Sequence, residues 1–275
     1  MPTPTIIRGE DHFACVTYEG TGTGQKVGKF VPFTNNATIS KAVRFNYADT
    51  PKLISGALGT PTSDKKFTFS SWFKIGHLSQ QYQGIFSTST DNSGSGGNVS
   101  RYSPLCVFSR SSAENNPFGY DYNGSGYVWY YSCDNAIDLE DVSQWHHVVV
   151  RLDTTQSTEA DRMRVYIDGN QITSFSSTVY PSLNAEIATT KSGYYHDIGL
   201  GYDKRWEGCL AEMNLLDGQS YGPDTFGLTD TSTGNWIPKS FSGLSYGNNG
   251  FRAQFANTAG QTLGYVTGGG TANNF

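Results

Sequence analysis

Apolar and polar residues alternate with a period of two along "KFTFSSWFKI" (66–75). Phe67, Phe69, Ser71 and Phe73 fall on one side, and Thr68, Ser70, Trp72 and Lys74 on the other. Successive strand residues point to opposite faces, so the pattern predicts a strand with one face in a core. "WHHVVVRLD" (145–153) splits the same way, Trp145, His147, Val149 and Arg151 against His146, Val148, Val150 and Leu152. In "RMRVYIDGNQITSF" (162–175), Met163, Val165 and Ile167 oppose Arg162, Arg164 and Tyr166 before the chain reaches Asp168–Gly169. Both central residues of a type I′ turn need positive φ, which Asp-Gly tolerates, so a hairpin is expected there.

Further strands are expected at "AVRFNYA", "QGIFSTS", "PLCVFSR", "GYVWYYSC", "HDIGLGY" and "GCLAEMNLLDG". Apolar runs that recur roughly every ten to twenty residues, with Gly, Asn, Ser and Asp between them, suit a two-sheet antiparallel sandwich or jelly roll. Helix is expected only as single turns at "LNAEIATTK" and "NAIDLEDV". Composition agrees: 32 Gly, 17 Tyr, 16 Phe and only 16% charged residues favour strands joined by tight turns. Three regions differ in texture. Residues 1–40 read as an extended N-terminal arm, 41–218 as the jelly roll, and 219–275 as an extension that packs on the sandwich or on a neighbouring subunit.

Charge and cysteines narrow the function classes. The net charge is −5 and no Lys/Arg stripe gathers, which argues against a nucleic-acid partner. No run of about 18 apolar residues occurs, so no membrane insertion is expected. The start, "MPTPTIIRGEDHF", lacks a basic stretch followed by an apolar one, so synthesis in a cytoplasm is the expectation. Cys15, Cys106, Cys133 and Cys209 form no C-x-x-C pair and read as reduced thiols, not a zinc site.

Candidate chemistry is sparse. Adjacent strand residues face opposite sides of a sheet, so His146 and His147 are not expected to share a metal, and catalytic residues are expected to be none. Trp145 and the valines should pack between the sheets, with one histidine near a rim. A glycosidase needs two carboxylates about 5–9 Å apart. The nearest acidic groupings, "DLED" (138–141) and "DKRWE" (203–207), read better as solvated turns. "GTGTGQKVGK" (20–29) lacks the spacing and the Ser/Thr of a phosphate loop. Loops bearing Asp91, Asp134 and Asp138, with Asn92, Asn135 and Asp141, offer hard oxygen ligands for calcium. Asx turns are the competing reading of the same residues. No other cofactor is expected. Tyr and Trp pair a flat apolar face with a polar tip, which suits sugar rings and wet interfaces. Tyr127, Trp129, Tyr131, Tyr194, Tyr195 and Trp206 are therefore candidate members of a ligand-binding aromatic patch.

"FTFSSWFKI", "WHHVVVRLD", "MRVYIDGNQI" and "IGLGYDKRWEGCLAEMNLLDG", in this order, resemble the laminin-G-like (concanavalin-A-like) jelly roll over about residues 40–218. The flanks, "HFACVTYEGTGTGQKVGKFVPF" and "LAEMNLLDGQSYGPDTFG…GNWIPKSFSG…YGNNGFRAQF", resemble virion proteins of tailed phages, especially marine ones. The resemblance implies a non-enzymatic structural or adhesion protein on the virion surface, in a tail fibre, tail appendage or capsid decoration. Its expected partners are other virion proteins, copies of itself and host surface glycans. A polysaccharide depolymerase on the same fold is the alternative.

Overall fold

The computed structural model describes residues 39, 41–49, 52–76, 82–90, 102–111, 114–134, 139, 141–201, 204–255, 264–268 and 275. Apart from Ile39, the expected N-terminal arm lies outside these residues, as do Cys15, Asp91 and Asp138. Strands dominate. They are β1 (Val43–Phe45), β2 (Leu53–Ile54), β3 (Lys66–Ile75), β4 (Tyr82–Ser89), β5 (Tyr102–Ser111), β6 (Glu114–Tyr122), β7 (Tyr127–Cys133), β8 (His146–Asp153) and β9 (Met163–Ile167). There follow β10 (Asn170–Gln171), β11 (Phe175–Val179), β12 (Tyr195–Ile198), β13 (Leu200–Gly201), β14 (Lys204–Arg205), β15 (Gly208–Asp217), β16 (Gly227–Thr229), β17 (Trp236–Pro238) and β18 (Phe251–Ala253).

Two antiparallel sheets face each other. The first runs β1-β15-β3-β8-β9-β10 with β18 beside β15, and the second runs β11-β7-β6-β5-β4-β12-β2. β4 to β7 and β8 to β10 pair in sequence order, whereas β15–β3, β3–β8, β11–β7 and β4–β12 join strands remote in sequence, as in an all-β jelly-roll sandwich, so the expected architecture is the one observed. Asp168 and Gly169 have φ of 48° and 78°, the conformation a type I′ turn requires between β9 and β10.

The inner faces meet in one large core. Phe67, Phe69 and Phe73 from β3, and Val148, Val150 and Leu152 from β8, meet Leu105, Trp129, Tyr131 and Ile198 from the second sheet. Phe69 stacks on Phe86 across the gap with ring centroids 5.1 Å apart. Cys106 and Cys133 are buried free thiols, both pushed up by burial, Cys133 to about 12, which keeps them protonated and unreactive.

The outer face of the first sheet is also buried. Residues beyond Asp217 return across it, where Phe226 packs with Val149, Tyr166 and Leu216 and is flanked by Tyr221, Phe241, Leu244 and Tyr246. Each apolar side chain so covered contributes roughly 1.5–3 kcal/mol. Polar residues on this face find partners beneath the cover. Thr68 Oγ1 donates to the Gln219 carbonyl (2.9 Å) and accepts the Tyr221 N–H (2.8 Å). Residues 221–246 thus cover the outer face of the first sheet as a third layer, whereas β18 joins that sheet and adds Phe251 and Ala253 to the main core.

Candidate functional site

The expected aromatic patch is not one surface. Trp129, Tyr131 and Trp206 are fully buried and belong to the core, which corrects their assignment to a ligand site. Trp129 and Tyr131 take the inward phase of β7, and the Tyr131 hydroxyl donates to the Leu105 carbonyl. Trp206 precedes β15 and tucks against Phe73 and Phe108. Tyr127 is 50% exposed and joins Tyr120, Tyr122 and Tyr130 in a ring cluster on the outer face of the second sheet. Tyr194 and Tyr195 are half-buried at the start of β12, away from that cluster in the chain's path.

Of the three aspartates expected to offer calcium ligands, only Asp134 lies among the described residues. Asp134 is exposed at the end of β7, where its carboxylate accepts the Ser174 hydroxyl (3.0 Å). Asp91 and Asp138 lie outside the described residues. Asp141 behaves as an Asx turn, accepting the Ser143 N–H (2.8 Å) and the Gln144 amide (2.8 Å), and those hydrogen bonds hold its carboxyl below the usual range. Among the described residues, no three His, Cys, Asp or Glu side chains converge as a metal site.

A groove of about 980 Å³ opens where β8 and the β9–β10 turn meet the β16–β17 hairpin. Three indoles line it: Trp72, Trp145 and Trp236. Trp145 was expected between the sheets, but it is 38% exposed on the groove wall because it precedes the first paired residue of β8. The polar lining includes Lys41, Ser143, Gln144, Asn170, Thr229 and Asn235, with Asp168 as the one carboxylate among the described lining residues. Apolar rings beside a few convergent polar groups are the usual make-up of a ligand pocket.

The histidine pair underlies this groove. His146 Nδ1 donates to Asp168 Oδ2 (2.8 Å), and the His147 N–H donates to Asp168 Oδ1 (2.7 Å). The turn carboxylate therefore ties β8 to the hairpin, with both oxygens engaged. His147 is fully buried and His146 is only 6% exposed, so neither histidine sits on an open rim. Its ring lies between two indoles, 4.7 Å from Trp72 and 6.1 Å from Trp236, within about 22° of parallel. Trp236 Nε1–H donates to His147 Nδ1 (3.1 Å), so the neutral ring carries its proton on Nε2 and donates to Ser70 Oγ (2.8 Å). A Cβ at Gly169 or Gly227 would collide with the Trp236 indole, so both positions must stay small. His147→Ala is expected to lower the unfolding free energy by about 2–3 kcal/mol, since it leaves a void and an unpaired indole N–H. Urea unfolding at neutral pH checks this.

The groove was only half legible in the sequence. Alternation assigns Trp145 to the core, and Trp236 lies in a segment of spaced aromatics without a clear period. The signals that point to them are the "SQW" turn at a strand entry and the "GNWIP" turn at 234–238.

Fold and site together define an antiparallel jelly roll of the lectin type with an indole-lined groove. Residues 46–219 match the laminin-G-type family described as the Concanavalin A-like lectin/glucanases superfamily. The chain belongs to that family. Comparison with curated protein sequences gave no match. Among solved structures, the mouse laminin alpha1 chain domains LG4-5 align over 82% of this chain with 11% identity and a TM-score of 0.41. This chain spans about half of that fragment, 49% of its length. The Ruminococcus gnavus IT-sialidase CBM40 aligns over 68% of this chain and 96% of its own, with 12% identity and a TM-score of 0.42. Tailspike protein 2 from Escherichia coli O157:H7 bacteriophage CAB120 aligns over 64% of this chain and 22% of its own, with 11% identity and a TM-score of 0.40.

Proposed function

We propose that this protein is a non-enzymatic glycan-recognition module carried on the surface of a phage particle. The observation that carries the reading is the groove. Trp145 and Trp236 offer indole faces for the apolar side of a sugar ring, while Gln144, Asn170 and Asn235 offer amides for its hydroxyls. A binding role is favoured over hydrolysis because two-acid glycoside cleavage needs a second carboxylate. Asp168, the carboxylate of the described lining, already accepts from His146 and from the His147 backbone. The flanks' resemblance to virion proteins of tailed phages favours a particle surface as its setting, with other virion proteins and copies of itself as neighbours.

A glycan array followed by calorimetric titration tests the reading. Trp145→Ala is expected to weaken binding of the selected glycan by about tenfold, or roughly 1.4 kcal/mol. Unfolding should be nearly unchanged, because the ring is exposed. Retention of full affinity by this variant would remove the groove from the reading. Release of reducing ends from the bound glycan would favour a depolymerase instead. Absence of the chain from mature particles by mass spectrometry would remove the virion setting.

A further inference from the structure

We infer that His147 is the positioning residue that holds Trp236 in the groove wall, and that protonating it releases the β16–β17 hairpin and opens that wall. The inference rests on the groove being the glycan site and names a regulation of it.

The groove is assembled from two parts of the chain. Trp72, Trp145 and Asp168 belong to the segment that matches the family, 46–219, whereas Asn235 and Trp236 come from the extension beyond it. The hairpin that carries Trp236 is small, three residues per strand, and forms its own two-stranded sheet. It meets the sandwich through the Trp72–His147–Trp236 stack and the indole hydrogen bond to Nδ1. That acceptor nitrogen is the one a second proton must occupy. The imidazolium would then present N–H to N–H, losing the bond and leaving a buried charge against two indoles.

The charged and titratable groups on the elements around His147 are His146, Arg151 and Asp153 on β8, Lys66 and Lys74 on β3, Arg164 and Tyr166 on β9, Asp168 at the turn, and Tyr221, Asp224, Asp230 and Lys239 on the covering extension. Asp168 favours the charged ring, but burial outweighs it and pushes the His147 imidazole down to about 3. Freed from the cover, the ring would titrate near its ordinary value of about 6.5. The closed wall is therefore fully favoured above that pH, and opening gains as pH falls below it. Linkage between these two values makes the open-to-closed ratio rise about thirtyfold from pH 7.5 to 5.

Indole N–H exchange reads that ratio directly, because the Trp236 Nε1–H is bonded across to His147 Nδ1 (3.1 Å) and is freed when the wall opens. Its protection factor is expected to fall about thirtyfold between pH 7.5 and 5 in the wild type. It should stay flat in His147→Gln, whose amide can accept from Trp236 and donate to Ser70 without titrating. An equal fall in both proteins overturns the proposal. If the Gln variant does not fold, carbon chemical shifts of the wild-type His147 ring decide, and an imidazole titrating near 6.5 overturns it. A hairpin that opens as stated while no glycan binds at any pH refutes the glycan reading and leaves the proton-sensitive wall standing.

Discussion

Asp217→Ala is expected to lower the unfolding free energy by about 3–5 kcal/mol, the largest effect of any single substitution outside the hydrophobic core. The carboxylate ends β15 fully buried and accepts three backbone N–H groups. Thr62 (2.6 Å) and Asn249 (3.1 Å) bond to Oδ2, and Ser63 (2.9 Å) bonds to Oδ1. Two chain segments remote in sequence, 62–63 and 249, therefore share one acceptor on a third. Asn249 extends the junction, its amide donating to the carbonyls of Gly59 (2.7 Å) and Thr190 (2.7 Å). Alanine at 217 strands three buried donors at once. A folded domain has a net stability of about 5–15 kcal/mol, so the loss is a large share of the whole. Asp217→Asn keeps one carbonyl oxygen and should cost about half as much. Denaturant unfolding of both variants measures this, and a change under about 1 kcal/mol for the alanine variant would refute the junction's role. Because Asp217 and Asn249 meet at one backbone, their alanine substitutions should not add.

That junction also shows where sequence legibility ended. The strands at 66–75 and 146–153 were legible because period-two alternation is a local property that survives any tertiary context. The Asp168–Gly169 hairpin was legible because the turn demands those residues. What no local pattern shows is that a face carrying Thr68, Ser70 and His147 is covered. Its polar residues look like a solvent face, and only the return of the chain through Phe226 and Trp236 buries them. Asp217 likewise reads as an ordinary strand-ending acid until its partners at 62, 63 and 249 arrive.

The same reasoning explains the scattered aromatic patch. Tyr127 and Trp129 are two residues apart, which places them on one face of a regular strand, yet one is half-exposed and the other buried. Tyr127 opens β7 directly after the 123–126 turn, and the pairing with β6 shifts register at Asp121 and Tyr122, so alternation does not extend to it. Trp206 sits in a short connection where no period exists to place it. Trp145 fails for the matching reason at the entry to β8. Strand interiors follow the pleat, whereas strand ends follow the turns that feed them, and it is at strand ends that the groove is built.

Acidification from pH 7 to 5 is expected to cost the fold about 4 kcal/mol through two buried histidines. His147 is pushed down to about 3 and His196 to about 4, in both cases chiefly by burial. The His196 Nε2–H donates to the Thr189 carbonyl (2.8 Å), which favours the charged ring but does not offset its burial. Its other nitrogen is buried without a hydrogen-bond partner, and its ring packs against Phe86 and Phe251, so a second proton there would be unsolvated. Both pKa values lie below the unfolded value of about 6.5, so the unfolded chain binds more protons throughout the interval. Stability is therefore complete above about pH 6.5 and declines as pH falls toward the folded values, by about 1.4 kcal/mol per unit for each ring. Urea unfolding at pH 7, 6 and 5 measures the slope. His147→Gln and His196→Gln should each remove about half of it, and the double variant nearly all. An unfolding free energy unchanged between pH 7 and 5 would mean that neither ring is held neutral. A slope that survives the double substitution would assign the acid sensitivity to other groups. The two rings act at different depths, His196 between the sheets and His147 beneath the extension. In hydrogen exchange, the His147→Gln variant should therefore lose the acid response of the β16–β17 hairpin while the core keeps the response that His196 confers.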